Sequence, residues 1–406
     1  VPANRQLPLA AIVTMMEVWR TLSASAVELS TINYQLSTTM LHAVIMAGGS
    51  GTRFWPESRA DLPKQLMCMS GDRTMIQATV DRLGDLVTAD RTLVATTARL
   101  AQSIAEQLPE LPQDAVLVEP CKRDTAPCIG LAALRVFRED PEAVMAVMPS
   151  DHVIGPDGVF QDAIRFAASV VRQRPEQMVT FGIRPTYPAE SFGYIERSTP
   201  LECEAASGLA HPPAVYHVMK FHEKPKADIA RQYIATGLHY WNSGIFVWKA
   251  ATILAAIERF QPEMYEHLSK IGEAADSSRY ADVLQREFSA IRPVSIDFGV
   301  MERVGDVVVI EAPFDWDDVG SWRALERLRP PDADGNVISA DRHLGINTSG
   351  TIVSATDPDH VVVTVGLKDM IVIVTPDATL VAAKQDEESI RRVIGLLKER
   401  GWTEHL

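Results

Sequence analysis

Cysteine is scarce in this chain: Cys68, Cys121, Cys128 and Cys203 are the only four among 406 residues, and no two form a C-x-x-C pair. That argues against a disulfide-stapled fold and against a cysteine zinc site, and it reads as free thiols in a reducing, cytoplasmic compartment. Positive charge is in deficit as well. Lys and Arg number 39 against 53 Asp and Glu, a net charge of −14, the wrong sign for broad contact with a nucleic-acid backbone or an anionic membrane. An anionic substrate therefore needs a locally basic site or a metal. No run approaches the roughly 18 consecutive apolar residues of a membrane span; the uncharged stretch Leu29 to Thr52 is rich in Ser, Thr, Asn and Gly. What is present is the ordinary balance of a folded protein, 46% hydrophobic and 23% charged residues, in a chain long enough for two or three domains at roughly 150 residues each.

Residues 1–40 read as an extension, loosely ordered or lying upstream of the natural start. Leu7 to Met16 is apolar behind Arg5, and Ser23-Ala24-Ser25-Ala26 could pass for a signal-peptide cleavage site. Against that, Pro8 interrupts the run, Glu17 ends it, and Met40 stands directly before the first convincing strand. From His42 to Ala47 a short apolar run reads as a strand buried on both faces, and it leads straight into Gly48-Gly49-Ser50-Gly51. Similar runs at Arg91 to Thr96, Ala115 to Glu119, Ala143 to Met148 and Met178 to Ile183 alternate with helical patterns such as Thr74 to Leu83 and Thr125 to Phe137. Such alternation predicts an α/β domain with a Rossmann-like, mostly parallel mixed sheet, here over 41–329.

Pro330-Pro331-Asp332-Ala333-Asp334-Gly335 marks the predicted boundary. Beyond it, over 330–406, short β-rich runs at Thr351 to Ala355, His360 to Val365, Met370 to Thr375 and Thr379 to Ala383 suggest a small β-helix or a sandwich. A capped helix follows over Asp386 to Gly401, with Ile390, Val393, Ile394 and Leu397 on one face, to pack on the β segment or on a second subunit.

The glycine run carries the chemistry. Glycines let backbone N–H groups approach a polyphosphate, and Arg53 and Lys64, in Gly51-Thr52-Arg53-Phe54-Trp55-Pro56 and Pro63-Lys64-Gln65, supply cations. No Gly-Lys-Ser/Thr closes the run and the glycine spacing is wrong for a dinucleotide fold, so neither a P-loop nor a Rossmann fingerprint is present. Asp151 follows the apolar run Val144 to Met148, at the carboxyl end of a predicted strand where open sheets bind ligands, and in isolation it reads as a turn or helix cap.

With Glu119-Pro120, Arg123-Asp124-Thr125-Ala126-Pro127, Met148-Pro149-Ser150-Asp151-His152, Phe221-His222-Glu223-Lys224-Pro225, Trp241-Asn242-Ser243-Gly244 and Asp315-Trp316-Asp317-Asp318-Val319-Gly320 following in order, residues 42–328 resemble the sugar-1-phosphate nucleotidylyltransferases. The Phe-Trp-Pro wording is most similar to the mannose-1-phosphate guanylyltransferases.

The resemblance implies transfer of a guanylyl group from GTP to mannose 1-phosphate, giving GDP-mannose and pyrophosphate. It makes Mg²⁺ the cofactor, with Asp151 and Asp318 as metal ligands and Asp315 and Asp317 as rivals for the second place. Arg53, Lys64 and Lys224 become catalytic cations beside these two carboxylates. Nucleotide contacts fall to Ala47, Gly48, Gly49, Ser50, Gly51, Thr52, Glu119, Arg123 and Thr125, and sugar-phosphate contacts to Gly193, Glu223, Lys224 and Asn242. Guanine offers adjacent N–H donors that one carboxylate can accept together, which nominates Glu119 as base reader. His152 reads as a hydrogen-bonding neighbour, and Asp297 as the cap of a helix over Phe298 to Val304.

Two departures from the family wording stand out: Ala189-Glu190-Ser191 where Glu-Thr-Gly is usual, and Asp124 in place of Asn. Other hexose 1-phosphates with UTP or dTTP, and a non-catalytic nucleotide-sugar-binding regulatory subunit, are the alternatives. Only His343, His360 and His405 follow Pro330, so no isomerase activity of the cupin type is expected, and the C-terminal segment reads as a packing or homodimerisation element.

Overall fold

The structure, a computed structural model, describes residues 41–49, 51–203 and 212–406. The extension over 1–40 and Ser50 lie outside the described residues.

The chain alternates strand and helix through its first half. β1 (Leu41–Met46), α1 (Met75–Asp81), β2 (Thr92–Thr97), α2 (Ala101–Gln107), β3 (Val116–Glu119), α3 (Thr125–Glu139), β4 (Val144–Pro149), β5 (Val153–Gly155), α4 (Asp157–Gln173) and β6 (Met178–Ile183) follow one another. Then come β7 (Tyr194–Pro200), β8 (Val215–His222), α5 (Ala227–Thr236), β9 (His239–Lys249), α6 (Ala250–Phe260), α7 (Pro262–Glu273), α8 (Tyr280–Ala290), β10 (Val307–Glu311) and β11 (Asp315–Asp317).

Nine strands form one sheet in the order β3-β2-β1-β4-β9-β6-β10-β8-β7. Only β8 and β9 oppose the common direction, so the mixed sheet is mostly parallel. β1 shows no polar alternation because both of its faces are covered. Ala43 and Ile45 join the core under α4 with Phe160 and Phe166, and Val44 joins the opposite core with Ile129, Ile253 and Leu268. Because β1, β3 and β4 run in the same direction, the loops after them leave from one end of the sheet, the carboxyl end.

Beyond residue 330, β12 (Val337–Ser339), β14 (Ile352–Ala355) and β16 (Met370–Val374) stack in parallel, and β17 (Thr379–Ala383) closes that sheet antiparallel. On the other face β13 (Arg342–Ile346) pairs in parallel with β15 (Val361–Val365). Successive turns lying strand on strand, with Val337, Ile352 and Ile371 in register, make this a β-helix rather than a sandwich. α9 (Ile390–Arg400) then lies back along it. Ile390 and Leu397 are buried in a core with Ile352 and Ile371 of the β-helix and Phe54, Trp55 and Trp322 of the preceding segment. Elements on the two sides of residue 330 thus share one core.

Candidate active site

The loop after β1 is held by its neighbours. Gln65 Nε2 donates to the carbonyls of Ala47 at 2.9 Å and Gly49 at 3.2 Å, and Thr96 Oγ1 donates to Ala47 O at 3.0 Å. Gly51 has φ 58°, and a Cβ there would fall 2.5 Å from the backbone nitrogen of Lys64. Conformation and close approach therefore both demand glycine. That approach aims the buried Lys64 side chain into the site, where Nζ donates to Asp151 Oδ2 at 3.0 Å and to the carbonyl of Asp318 at 2.5 Å.

Around this ammonium lies a cavity of about 380 Å³, lined by Gly51, Thr52, Arg53, Lys64, Asp151, His152, Asp318 and Arg391. Arg53 Nη1 donates to Gly320 O at 3.2 Å. Burial disfavours the charged form of Arg53 and lowers its pKa. Burial also opposes ionisation of Asp151, but Lys64, through charge and hydrogen bond, outweighs it and holds the carboxyl below its ordinary value. For Asp318 burial wins over Lys64, and its pKa is raised. Burial depresses His152 to about 4 despite Asp151, so its ring is neutral near pH 7. Trp316 Nε1, which can only donate, lies 3.1 Å from His152 Nδ1 and so leaves the ring proton on Nε2.

Two carboxylates on one cavity, one of them already balanced by an ammonium, match the hard oxygen donors that Mg²⁺ takes beside substrate phosphates. Asp317, a rival for the second place, is otherwise engaged: it accepts from the guanidinium of Arg327 and from Val319 N at 2.7 Å. Asp315 does not line the cavity.

A second cavity of about 330 Å³ is lined by Gly48, Gly49, Glu119, Lys122, Asp124, Thr125, Cys128 and, in common with the first, Asp151 and His152. Glu119 is buried, its Oε1 has no hydrogen-bond partner, and burial pushes its pKa up to about 7. Thr125 opens α3 and accepts from Ile296 N at 2.8 Å. Asp124, at φ 69°, turns its carboxylate back to Thr125 N. Arg123 points elsewhere: its Nη2 donates to Ser289 O at 2.5 Å, and it is Lys122 that faces the cavity.

The residues expected around a sugar also meet. A Cβ on Gly193 would lie 3.1 Å from Glu223 Oε2 and 3.7 Å from Asn242 Cβ. β8 breaks after His222 as Pro225 predicts, Lys224 takes φ 41°, and its ammonium is bonded to Glu223. Asn242 Nδ2 donates to Asp297 Oδ1 at 2.7 Å. Asp297 is therefore not a helix cap. Ser295 Oγ accepts from Phe298 N instead, the segment is a π-helical turn over Asp297–Met301, and burial raises Asp297 to about 6. Glu190 caps α5 by accepting from Ala227 N at 2.8 Å, and Ala189 O accepts from the Tyr194 hydroxyl, so this departure from the family wording is built into the scaffold.

Over residues 42–334 the sequence matches the nucleotidyl transferase family model. The chain belongs to the nucleotidyl transferases. Residues 341–397 match the mannose phosphate isomerase/GMP-like β-helix domain, which agrees with the stacked strands.

Among relatives, it is 36% identical over 383 residues to mannose-1-phosphate guanylyltransferase 2 of Escherichia coli O157:H7, covering 91% of this chain and 76% of that one. It is 35% identical over 369 residues to the mannose-1-phosphate guanylyltransferase of Klebsiella pneumoniae, with 90% and 76% covered. A crystal structure from Thermus thermophilus, named a mannose-1-phosphate geranyltransferase, superposes with a TM-score of 0.76 at 32% identity, over 88% of this chain and 99% of that one. In this nucleotidyl transferase the sequence reading missed Gln65, Lys122, Asp297 and Arg391. Gln65 stood inside the Pro-Lys-Gln word, whereas Arg391 reaches the cavity from α9 with no local signal at all.

Proposed function

We propose that the chain transfers the guanylyl group of GTP to mannose 1-phosphate, releasing pyrophosphate and forming GDP-mannose. The observation that carries this reading is the buried Lys64 ammonium, fixed between Asp151 and the Asp318 carbonyl on a cavity that also holds Arg53. In a chain of net charge −14 these are the local cations that a triphosphate requires.

An oxygen of the sugar phosphate bonds to the α-phosphorus of GTP while the α–β bridging bond breaks, and pyrophosphate leaves with the electron pair. The attacking phosphate is already anionic at neutral pH, so no protein base is needed. Catalysis then reduces to positioning two anions that repel each other and stabilising the charge that develops. Arg53 and Lys64 hold the triphosphate over the glycine loop. Lys224 leaves Glu223 to meet the sugar phosphate, and Glu223 is freed to accept from sugar hydroxyls beside Gly193 and Asn242. Asp151 and Asp318 would hold Mg²⁺, which when bound supplies charge neutralisation to the phosphate oxygens. Glu119, with one carboxylate oxygen free and buried, accepts from the guanine N–H donors.

Pyrophosphate release with Mg²⁺, crossing GTP, ATP, UTP and dTTP against mannose 1-phosphate and glucose 1-phosphate, tests the whole reading. Release with GTP and mannose 1-phosphate is expected. Preference for another pair moves the specificity, and silence in every combination refutes transfer.

A homodimer through the β-helix belongs to the same proposal. Leu344, Ile346, Val363 and Val365 are each more than half exposed, and they pair Leu344 to Val363 and Ile346 to Val365 in one apolar stripe on β13 and β15. A two-fold contact lays this stripe on its own copy. Val363→Lys should convert dimer to monomer in sedimentation equilibrium, and a monomeric wild type would end the idea.

A further inference from the structure

Away from the two cavities, three metal-ligating side chains converge on the far strands of the sheet: Glu196 on β7, His222 on β8 and His239 on β9. Their ligand atoms all lie within 4.8 Å of one another. Glu196 Oε2 is 3.0 Å from His222 Nε2 and 3.9 Å from His239 Nε2. The outer nitrogen of each ring is already engaged, His222 Nδ1 with the Tyr233 hydroxyl at 3.1 Å and His239 Nδ1 with Thr236 Oγ1 at 2.9 Å.

The second contact fixes a tautomer. Thr236 Oγ1 spends its only proton on the carbonyl of Tyr233 at 2.7 Å, so toward His239 it can only accept, and Nδ1 of His239 carries the ring proton. In the neutral ring Nε2 then presents a lone pair, and it presents it to a carboxylate. His239 is 93% buried, at 7% exposure, and its Nε2 has no hydrogen-bond partner. Tyr233 stacks on the ring at 4.1 Å between centroids and holds it there. A buried acceptor facing another acceptor is costly unless something positive lies between them.

We propose that Glu196, His222 and His239 bind a divalent transition metal, zinc by the chemistry of the donors. Two imidazole nitrogens and one carboxylate oxygen suit Zn²⁺ rather than Mg²⁺, and three protein ligands leave a fourth position for water. Bonds of about 2.1 Å in a tetrahedron put ligand atoms about 3.4 Å apart, between the 3.0 and 3.9 Å separations found here. In zinc sites the outer ring N–H is held by an acceptor, most often a carboxylate, a backbone carbonyl or water, and here the oxygens of Tyr233 and Thr236 stand in that place. The Glu196 side chain is 30% exposed, which leaves the ion a way in. His222 adjoins Glu223, and Glu196 and His239 stand three residues from Gly193 and Asn242. A bound ion would therefore tie together the three strands that carry the residues grouped around Gly193. The site itself rests on none of the substrate assignments above.

The test uses the full chain in an Asp151→Asn/Asp318→Asn background, stripped with chelator and titrated separately with Zn²⁺ and Co²⁺. One equivalent should bind, with the visible bands of four-coordinate cobalt, and zinc should raise Tm. Glu196→Gln and His239→Gln should weaken binding by about 100-fold or more and abolish the Tm shift, with far-UV circular dichroism unchanged. Thr236→Val, which meets the site at the outer nitrogen of His239 and otherwise loses bonds only to the backbone of Tyr233 and Leu238, should weaken it about 10-fold, and it decides the matter if the ligand variants fail to fold. Absence of the bound equivalent, or an equivalent that persists in all three variants or disappears on replacing Cys68 with serine, overturns the proposal.

Discussion

Lys64→Met separates the charge of Lys64 from its bulk. The side chain is 6% exposed and its Nζ lies 6.0 Å from the centre of the Phe54 ring, so a methionine of similar length keeps the packing while removing the ammonium. Two hydrogen bonds go with it, one to Asp151 and one to the carbonyl of Asp318. Breaking an ion pair sealed from water costs about 3–5 kcal/mol. The Asp151 side chain is 34% exposed, so water replaces part of what is lost, and a discounted cost of about 1–2 kcal/mol is expected. The loss in catalysis is larger. An ammonium that meets the triphosphate where charge develops is worth about 10²–10³ in rate, or about 3–4 kcal/mol. The two magnitudes are read independently, stability by urea unfolding without substrate and kcat by continuous pyrophosphate release with GTP and mannose 1-phosphate. A small loss of stability with kcat down by that factor fits a phosphate-binding role. Turnover within about tenfold of wild type, at any stability, would show that Lys64 only braces Asp151, and the assignment would fall.

Glu119 gives the pH prediction. Its folded pKa of about 7 stands above the ordinary 4.5, so between these values the folded state keeps a proton that the unfolded state has lost, and its contribution to stability falls as pH rises through that window. Glu119→Gln lacks this slope, so relative to wild type it should gain stability from pH 4.5 to 7 in denaturant titrations. It should also lose the preference for GTP over ATP; an unchanged preference removes Glu119 as base reader. Gly51→Ala should destabilise by more than the about 1–2 kcal/mol of left-handed backbone strain, because its Cβ meets the Lys64 backbone. Gly71→Ala, at φ 79° with open space around it, measures the strain alone, and equal losses in the two variants would refute the contact. Asp297→Asn should raise KM for mannose 1-phosphate about fivefold to tenfold, the worth of about one hydrogen bond, with KM for GTP unmoved. An equal rise in both would show general damage rather than a positioning role.

What was legible in the sequence was what short stretches of chain decide for themselves. The unbroken apolar runs of β1 and β4 announce strands covered on both faces, the break after His222 is written in Pro225, and the glycine demanded at position 51 stands in the glycine run. Asp151 was readable as a carboxylate just past the end of β4 and Lys64 as a cation in the segment behind the glycine run, but their roles came from the family wording and not from these elements. Partnerships set by sheet order were not. β9 inserts between β4 and β6, far from either in sequence, and only that insertion carries Asn242 to Asp297, 55 residues away. A carboxylate just ahead of a predicted helix looks like a cap until a distant amide claims it.

The same physics explains Arg123 and Arg391. The first sits inside a motif and yet turns to the end of α8, because an unpaired carbonyl at a helix terminus is a strong acceptor close at hand. The second lies in a helix whose sequence speaks only of its apolar face, and it reaches the cavity around Lys64 because that face packs on Phe54 and Trp322 beside the glycine loop. The β-helix segment thus sets one wall of the cavity through α9. If that wall matters, Arg391→Ala should raise KM for GTP while leaving the fold and kcat near wild type, since Arg391 adds a cation at the rim rather than at the buried Lys64 centre. A variant with unchanged KM for GTP would mean that α9 contributes packing and nothing to the substrate.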